Sequence, residues 1–302
     1  MSKLYDFLQD PFRLGVFLIR RLSPLIKDDE TYLHWYYYLN MHKSLNLKTP
    51  LTYNEKLNWL KLYDRNPYYT TLVDKLKVKD VVAQKIGDEH VIKTLGIWKL
   101  AEDIEWDKLP DRFVLKTTHG GGNIGVMICR DKSTFDRTKA VANMNAALKQ
   151  NLYYYSREWP YKDVEPMIFA EEYMEDEHGE LRDYKFFCFD GKCRMVEVLT
   201  ERQTRKDAYA DFFDKDYSPL PFRGMHQRNS ITPEKPQGFD EMVSIAEQLS
   251  VGFPHVRIDL YVIKGRVYFG EYTFYHNGGV TRFKPSEWDE KIGSWLKLPN
   301  NT

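Results

Sequence analysis

The sequence has no excess of charge of either sign, since 44 Lys and Arg residues balance 44 Asp and Glu residues. This balance excludes a general basic footprint for nucleic acid, so we expect no nucleic-acid partner. Cysteine is scarce: its three residues show no C-x-x-C spacing, which disfavours both a zinc site and a disulfide framework. We therefore expect a reducing, cytoplasmic compartment. A long apolar run before a cleavage site is lacking as well, which predicts no secretory signal.

One apolar stretch near the N-terminus, FRLGVFLIRRLSPLI from Phe12 to Ile26, is interrupted by three arginines and a proline. It falls short of the roughly 20 apolar residues that span a bilayer. We interpret it as an amphipathic helix docked on the body of the protein. Peripheral contact with a membrane surface is the alternative.

The first hundred residues are typical of helices. Thr52 and Glu55 have the spacing of a capping box and predict a helix through about Asp64. Asn66-Pro67 then breaks the helical pattern. Helical spacing resumes afterwards with Leu72, Val73, Leu76 and Val81.

From Arg112 onward the sequence changes to short β runs, with one more helix predicted from Phe239 to near Gly252. Because regular βαβ alternation is missing, the pattern predicts an α+β fold with mostly antiparallel pairing. Segments 201–238 and 276–290 are predicted to be long loops, whose length favours a functional role. The predicted strands read FVLKTT, VMICR, MIFAEEYM, DYKFFCF, CRMVEVL, HVRIDLYVI and RVYFGEY.

The segment GGGNIG, from Gly120 to Gly125, is the first that points to chemistry. It matches G-x-G-x-x-G, but a predicted strand follows it, which indicates a glycine-rich hairpin and not a dinucleotide fingerprint. A P-loop is excluded because no Lys-Ser/Thr pair follows, and the kinase motifs H-R-D and D-F-G are missing. Glycine allows the backbone to approach a triphosphate closely. We interpret the loop as a phosphate-binding flap with Gly121, Gly122 and Asn123 at its tip.

Lys116 lies on the predicted strand before this loop, on the same face as Val114 and Thr118. An ordinary glycine-rich turn beside a surface lysine is the alternative. A loop this dense in glycine, directly after a lysine in a β run, favours phosphate binding.

The segment HVRIDLYVIKGRVYFGEYTF predicts a β-hairpin that carries two carboxylates. A two-residue turn would put Glu271 on the opposite face from Asp259, whereas a three-residue turn makes them partners. We predict the three-residue turn, with Gly265 in a left-handed conformation and Arg257 opposite Thr273.

Two carboxylates that face each other repel unless a cation lies near them. Magnesium binds through one or two carboxylates together with substrate phosphates, so it would explain the pair. A surface ion pair of Arg257 with Asp259 and Glu271 is the alternative, and the hairpin alone does not choose between the two.

Together these motifs resemble the ATP-grasp superfamily. More closely, the chain is similar to the TupA-like ATP-grasp family of teichuronopeptide biosynthesis, which belongs to bacterial polysaccharide gene clusters. The resemblance covers nearly the whole chain, and its most specific part is the order of the lysine–glycine segment and the R-x-D…E hairpin, roughly 140 residues apart. The resemblance is carried by TYNEKLNWLKLYDRNPYYTTLVDK, FVLKTTHGGGNIG, DYKFFCFDGK and VRIDLYVIKGRVYFGEYTF.

This resemblance implies an ATP-grasp fold, in which two α+β subdomains grip ATP. We expect a helical N-terminal region at 1–90, a small subdomain with the flap at 91–170, and a large subdomain with the magnesium hairpin at 171–302.

The resemblance also assigns nucleotide contacts. Lys116 is implied to contact the α- and β-phosphates, and Lys75, expected on a helix, resembles the second nucleotide lysine. Asp183 matches the acid that holds ribose, and Lys185 is implied to point toward the phosphates.

The segment MIFAEEYM resembles the strand between the two subdomains that receives adenine. Glu171 is implied to accept from the exocyclic amine of the base. The backbone of Glu172 and Met174 is implied to read the ring.

Asp259 and Glu271 are the implied magnesium ligands, and Arg257 is implied to stabilise the acyl-phosphate oxyanion. Most of the superfamily has Glu-x-Asn at this point, but here Thr273 takes the place of the asparagine. Threonine is a weaker metal ligand, which leaves one or two magnesium ions open. Asn277 is the alternative metal ligand in place of that asparagine.

The implied activity is that of a carboxylate–amine ligase that uses Mg-ATP to form an acyl phosphate and then an amide. The acid is implied to be a hexuronic acid on a nucleotide sugar or glycan, as in capsule or O-antigen synthesis, and the amine an amino acid. We hypothesise that Arg202 and Arg205 hold the acid, because guanidinium pairs bidentately with carboxylate or phosphate. A solvated charge run is the alternative.

Two other functions remain open. The match to D-x-D at Asp214 to Asp216 is compatible with a glycosyltransferase of the same pathway. A non-catalytic nucleotide-binding protein is the second alternative, which Thr273 keeps open. His119 and His276 flank the expected site, and each is more typical of a packing group than of a base.

Overall fold

The computed structural model describes residues 11–122, 124–176, 179–201 and 207–299. It is a mixed α+β fold with two antiparallel sheets, as the sequence predicted. The helices are α1 Pro11–Leu22, α2 Asp29–Met41, α3 Tyr53–Tyr63, α4 Tyr68–Val73, α5 Lys77–Ile86, α6 Arg137–Leu148, α7 Tyr153–Ser156, α8 Phe239–Ser250 and α9 Glu287–Trp295.

The strands fall into two groups along the chain. The first sheet has the order β1-β4-β2-β3 and the second the order β7-β6-β5-β8-β9. The strands are β1 Thr94–Trp98, β2 Phe113–Thr117, β3 Val126–Cys129, β4 Ile168–Glu172, β5 Asp183–Phe189, β6 Lys192–Thr200, β7 Tyr209–Phe213, β8 His255–Ile263 and β9 Arg266–Thr273.

Helix α3 begins as predicted. The Thr52 side chain accepts from the Glu55 backbone N–H, and the Glu55 side chain accepts from the Thr52 backbone N–H, which completes the capping box. The helix buries one side in the core, and Tyr53 contacts the rings of Phe187 and Phe189 on β5. It therefore covers one end of the second sheet.

Helix α8 packs on the opposite face of the second sheet. Its Phe239 ring lies 5.8 Å from that of Phe186, and the Cys188 thiol lies 3.7 Å from the Ala246 carbonyl. Because strand side chains alternate between faces, the neighbours of Phe186 along β5 point away from α8. Lys185 is one of them, so its side chain lies on the face that α8 does not cover.

Three segments differ from the prediction. Strand β1 interrupts the region predicted to be helical, and β7 lies inside the predicted loop 201–238. Helix α9 begins inside the predicted loop 276–290. These elements are short and gain their order from tertiary packing, which local propensity does not report. The region boundaries at 90 and 170 remain predictions.

Helix α1 packs on α2, as the interpretation of a docked amphipathic helix required. Ile19 is buried between them, and a Cβ on Gly15 would lie 2.6 Å from the Leu39 side chain, so the two helices approach closely there. Among the described residues, no helix is both long and apolar enough to cross a bilayer.

Candidate active site

Four charged side chains from neighbouring strands of the second sheet lie in one row. Lys185 on β5 pairs with Glu197 on β6 and with Asp259 on β8, and Asp259 pairs with Glu271 on β9. Residues directly opposite in an antiparallel ladder share a face, with Cβ atoms about 5 Å apart. We call Glu197, Lys185, Asp259 and Glu271 the polar row.

The β8–β9 hairpin confirms that Asp259 faces Glu271. The predicted three-residue turn is wrong, because the strands are joined by Lys264 and Gly265 alone. Both residues are left-handed, with φ of 50° and 77°, so that prediction for Gly265 is confirmed. By itself, a two-residue turn would put the two carboxylates on opposite faces.

A β-bulge at Gly270 reconciles the short turn with the facing carboxylates. The ladder steps from Phe269 directly to Glu271 and leaves Gly270 as the extra residue. A Cβ on Gly270 would lie 2.9 Å from the Asp259 carbonyl oxygen and 3.1 Å from the Tyr261 ring. Glycine is therefore the residue that fits the bulge without displacing its neighbours.

Glu197 reaches the row in the same way. Asp190 and Gly191 form another two-residue turn at positive φ, 50° and 71°, and the β5–β6 ladder is irregular just beyond it. Glu197 was not among the predicted site residues. Its signal was a single acid within the apolar run MVEVL, since a glutamate is rarely buried unless it is paired or functional.

Asp259 is almost fully buried and has close cationic neighbours. Arg257 Nε and Nη2 lie 2.7 and 2.8 Å from its two oxygens, which is a bidentate pair. Lys185 Nζ lies 2.6 Å from Asp259 Oδ2 and 3.3 Å from Asp183 Oδ2. Burial opposes the charge on Lys185, but Asp183 and Asp259 outweigh it and raise the pKa of this lysine.

Glu271 is paired with Lys75, which reaches it from outside the sheet. Burial would raise the pKa of Glu271, but Lys75, Lys185 and Arg257 hold that pKa well below its usual range. Arg257 Nη2 also lies 3.5 Å from Glu271 Oε1. The ion pair that was the alternative to a metal site is therefore present: its Arg257–Asp259 part is buried, and the Glu271 side chain is 28% exposed.

Arg257 is further oriented by two neutral partners. Its Nη2 donates to Thr273 Oγ1 at 3.0 Å, across the predicted Arg257–Thr273 pair. Its Nη1 lies 2.8 Å from His276 Nδ1. Burial lowers the pKa of His276 well below its usual range, and Arg257 and Lys185 lower it further. His276 is therefore a neutral acceptor that orients the guanidinium, and Asn277 lies 3.0 Å from its other ring nitrogen.

Lys75 does not lie on a helix, contrary to the prediction. It occupies the turn between α4 and α5, because Asp74 adopts an extended conformation and its carboxylate accepts from the backbone N–H groups of Leu76 and Lys77. Its backbone N–H donates to the Thr118 carbonyl at 3.0 Å. Lys75 thus connects the end of β2 with the polar row.

The predicted flap hairpin is present, with Lys116 on β2 pairing with Val126 on β3. Lys116 Nζ lies 2.5 Å from Glu171, and Lys79 on α5 lies 2.6 Å from the other oxygen of the same carboxylate. Burial would raise the pKa of Glu171, but the two lysines outweigh it and lower that pKa. Lys79 was not among the predicted site residues.

Gly122 lies at the tip of the flap, with φ of 59° and open space around it. Gly121 lies closer to the body, where a Cβ would meet the Leu152 side chain at 2.4 Å. Asn123 lies outside the described residues. His119, after β2, is buried and its Nε2 lies 3.2 Å from the Ala147 carbonyl, which fits a packing group.

The remaining predicted contacts are spread along the chain. The Glu172 backbone N–H donates to the Lys93 carbonyl at 3.1 Å, and Met174 follows in the segment that leads from β4 toward β5. Arg202 and Arg205 lie outside the described residues. The D-x-D match forms a turn, in which Asp214 accepts from the backbone N–H groups of Asp216 and Ser218.

The oxygen donors of Asp259 and Glu271 suit magnesium, which takes one or two carboxylates plus phosphate oxygens. Within the described ranges, no group of three or more His, Cys, Asp or Glu residues could hold a metal by itself.

Residues 55–297 match the family described as TupA-like ATPgrasp. The chain belongs to the TupA-like ATP-grasp family. Family membership confirms the resemblance drawn from the motifs, and the mixed α+β fold agrees with it. Among curated proteins, none matches the chain.

Solved structures that resemble this TupA-like chain are ATP-grasp ligases. D-alanine–D-alanine ligase from Bacillus anthracis with ATP is 13% identical at a TM-score of 0.40, over 68% of this chain and 54% of that one. The Helicobacter pylori enzyme is 13% identical at 0.42, over 82% and 69%. The ligase PsnB with minimal precursor, Mg and ADP is 12% identical at 0.39, over 73% and 57%. The activities and ligands of those enzymes describe those proteins and not this chain.

The buried Glu197 should make the stability of this chain depend on pH. Burial raises the pKa of Glu197 to about 7, with Lys185 and Arg257 opposing the shift. A carboxyl whose folded pKa is raised stabilises the fold fully below its unfolded pKa of about 4.3, and the stabilisation is lost as pH rises toward 7. We therefore expect the unfolding free energy of Glu197→Gln, taken relative to that of wild type, to rise by about 2–3 kcal/mol from pH 5 to pH 8.

Urea unfolding of both proteins across this range, in EDTA, measures the effect. Curves of unfolding free energy that stay parallel from pH 5 to pH 8 would contradict the raised pKa.

Proposed function

We propose that this chain is an ATP-dependent carboxylate–amine ligase. Its acid substrate is a uronic acid of a nucleotide sugar or cell-surface polysaccharide, and its amine is an amino acid. The observation that carries the proposal is the facing pair Asp259 and Glu271, set among Arg257, Lys185 and Lys75 in a TupA-like ATP-grasp chain.

The proposed reaction has two steps. A carboxylate oxygen of the acid attacks the γ-phosphorus of ATP, the bond to ADP breaks, and an acyl phosphate forms. The amine then attacks the acyl carbon, a C–N bond forms, the C–O bond to phosphate breaks, and a proton leaves the nitrogen. The products are an amide, ADP and inorganic phosphate.

The first step brings an anionic carboxylate toward an anionic triphosphate, so positive charge must be fixed in advance. In the proposal, Lys116 and Lys75 hold the phosphates, and Arg257 stabilises the oxyanion as the acyl phosphate forms. Lys185 neutralises the transferred group. Arg257 suits its role because His276, Thr273 and Asp259 fix the guanidinium plane.

Asp259 and Glu271 would hold magnesium together with the phosphate oxygens. Magnesium bound there would neutralise negative charge of the triphosphate. The carboxylates must exchange part of their present pairing with Lys75, Lys185 and Arg257 for this contact. The lysines have flexible stems and can move to the phosphates, which makes the exchange physically reasonable.

An ADP-release screen tests the proposal. Nucleotide-linked uronic acids are combined with the common amino acids, Mg-ATP and the chain, and products are read by mass spectrometry. The expected result is one acid–amine pair that yields ADP and a product lighter by one water than its two substrates combined. Hydroxylamine in place of the amine should trap the acyl phosphate as a hydroxamate.

Other outcomes of the screen would overturn the proposal. Consumption of the nucleotide sugar with release of its nucleotide, and without ADP, would identify a glycosyltransferase. Tight ATP binding without ADP from any pair would identify a non-catalytic nucleotide-binding protein.

The role of Lys116 can be tested by nucleotide binding alone. Lys116→Ala should weaken ATP binding about tenfold or more, because a charged hydrogen bond contributes about 1.5–3 kcal/mol. Isothermal titration with a non-hydrolysable ATP analogue measures the change.

Two variants make the result specific to Lys116. Lys99→Ala removes an exposed lysine that precedes Lys116 in the chain and should leave the affinity for the ATP analogue unchanged. Lys79→Ala removes the other partner of Glu171, so an equal loss in that variant would trace the effect to Glu171 instead of to a phosphate contact. Unchanged affinity of Lys116→Ala would remove its assigned role.

A further inference from the structure

Four leucines form a row on the outer side of α1 and the turn that follows it. Leu14, Leu18, Leu22 and Leu25 recur at spacings of four, four and three, which keeps them on one side of a helix. Their side chains are 39%, 46%, 50% and 77% exposed. We call these residues the leucine row. Single exposed leucines are ordinary, but a contiguous row marks an interaction surface.

The adjoining side of α1 is used for packing. Ile19 is buried against α2, and Gly15 lies against Leu39. The apolar surface of α1 is therefore wider than the part that holds the helix on the protein. The leucine row is left for another surface.

The described segment that carries the leucine row has charge of one sign. Segment 11–27 contains three arginines and one lysine and no acidic residue, although the whole chain is neutral. Arg20 is an exposed residue whose guanidinium lies within 6 Å of the Tyr36 ring, and Arg21 and Lys27 are exposed beside the row. Among the described residues, the acids that follow this segment have other partners: Asp28 caps α2, and Asp29 pairs with Arg65 and Arg157. Asp10, which precedes the segment, lies outside the described residues.

The surface is also held firmly. Arg157 is buried, and its guanidinium donates to the Ser23 hydroxyl at 2.6 Å, to the Ser23 carbonyl at 3.0 Å and to the Ile26 carbonyl at 2.7 Å. The same guanidinium stacks 4.1 Å from the Tyr32 ring. These contacts fix the C-terminal end of the leucine row to the body, so binding requires little ordering of the chain.

We propose that the leucine row docks on an anionic phospholipid surface. An apolar row flanked by exposed cations matches the acyl chains and the negative headgroups of such a membrane. With 12 residues, α1 is about 18 Å long, too short to cross the roughly 30 Å core, so it lies in the interface plane. A second copy of this chain fits less well, because it would bring identical cations together.

Vesicle co-sedimentation of the whole chain tests the proposal. The protein should bind vesicles of phosphatidylcholine with 30% phosphatidylglycerol and not phosphatidylcholine alone. Leu18→Gln with Leu22→Gln should lower the partition constant at least tenfold. Arg21→Gln with Lys27→Gln should lower binding to the anionic vesicles about tenfold or more, as should 0.5 M NaCl.

Leu100→Gln with Ile231→Gln is the matched control. It replaces two apolar residues outside the leucine row that are more exposed than Leu18 and Leu22, and it should bind like wild type. Thermal unfolding midpoints check that each variant keeps its fold. This test needs no ligase activity, so its result is separate from that of the proposed function.

Three results would overturn the proposal. The first is no binding to anionic vesicles, and the second is equal binding by wild type and the leucine variant. The third is a dimer in sedimentation velocity that the leucine variant splits without any vesicle binding, which would identify the row as an interface between copies.

Discussion

Asp259→Asn is expected to lower ATP turnover at least 100-fold, and Glu271→Gln is expected to do the same. Removing one preorganised electrostatic contact typically costs about 3 kcal/mol of transition-state stabilisation. In this chain each substitution also leaves cations without their partner, because Asp259 pairs with Arg257 and Lys185 and Glu271 pairs with Lys75. ADP release at saturating ATP, with magnesium varied, measures the effect.

A matched control separates chemistry from loss of stability. Asp211 on β7 is also 1% exposed and paired, with Arg228 Nε at 3.3 Å and the Asn229 backbone N–H at 3.1 Å from its oxygens. Asp211→Asn should therefore lower the unfolding midpoint about as much as Asp259→Asn while it keeps turnover. Turnover near the wild-type rate in both polar-row variants would defeat the metal assignment.

Gly270→Ala is expected to lower turnover on the order of 100-fold, although residue 270 contacts no substrate in the proposed mechanism. Its Cβ would lie 2.9 Å from the Asp259 carbonyl oxygen, so the bulge must open or the ladder must become regular. A regular ladder would pair residue 270 with Asp259 and turn Glu271 to the opposite face. Even a shift of about 1 Å in a catalytic group costs on the order of 100-fold.

Deletion of Gly270 should be milder than its substitution. The ladder already steps from Phe269 to Glu271, so a chain without residue 270 keeps Glu271 opposite Asp259 and loses only the bulge. We expect the deletion to retain turnover within about tenfold of wild type. Gly224→Ala is the control, because a Cβ there meets ordinary contacts at 3.5 Å. A deletion as damaging as the substitution would contradict the role of the bulge.

The same bulge shows why the sequence predicted the right pair from the wrong turn. Alternation along β8 and β9 allows two registers, and turn length was used to choose between them. The two-residue turn with left-handed Lys264 and Gly265 favours the other register, and one extra residue at Gly270 reverses it. A bulge adds one residue and therefore changes the face of everything beyond it. The residues of the turn alone do not reveal such a change of face.

Glu197 was missed for a related reason. The turn of Asp190 and Gly191 would direct a neighbour of Glu197 toward Lys185, and the irregularity beyond the turn directs Glu197 there instead. Lys116 was correctly predicted to lie on the strand before the glycine loop, because that placement depends on no hairpin register and no bulge. The prediction that Lys75 lies on a helix failed because Asp74 is extended and ends one helix, while its carboxylate accepts from the backbone N–H groups of Leu76 and Lys77 where the next begins.

The contacts of Lys75 have a mechanical consequence. Its main chain is fastened to Thr118 at the root of the flap, and its ammonium reaches Glu271 at the edge of the other sheet. A single residue therefore links the first sheet to the edge of the second. A larger distance between the two sheets would break either the main-chain or the side-chain contact of Lys75. The charge balance around Glu271 is thus tied to the distance between the two sheets.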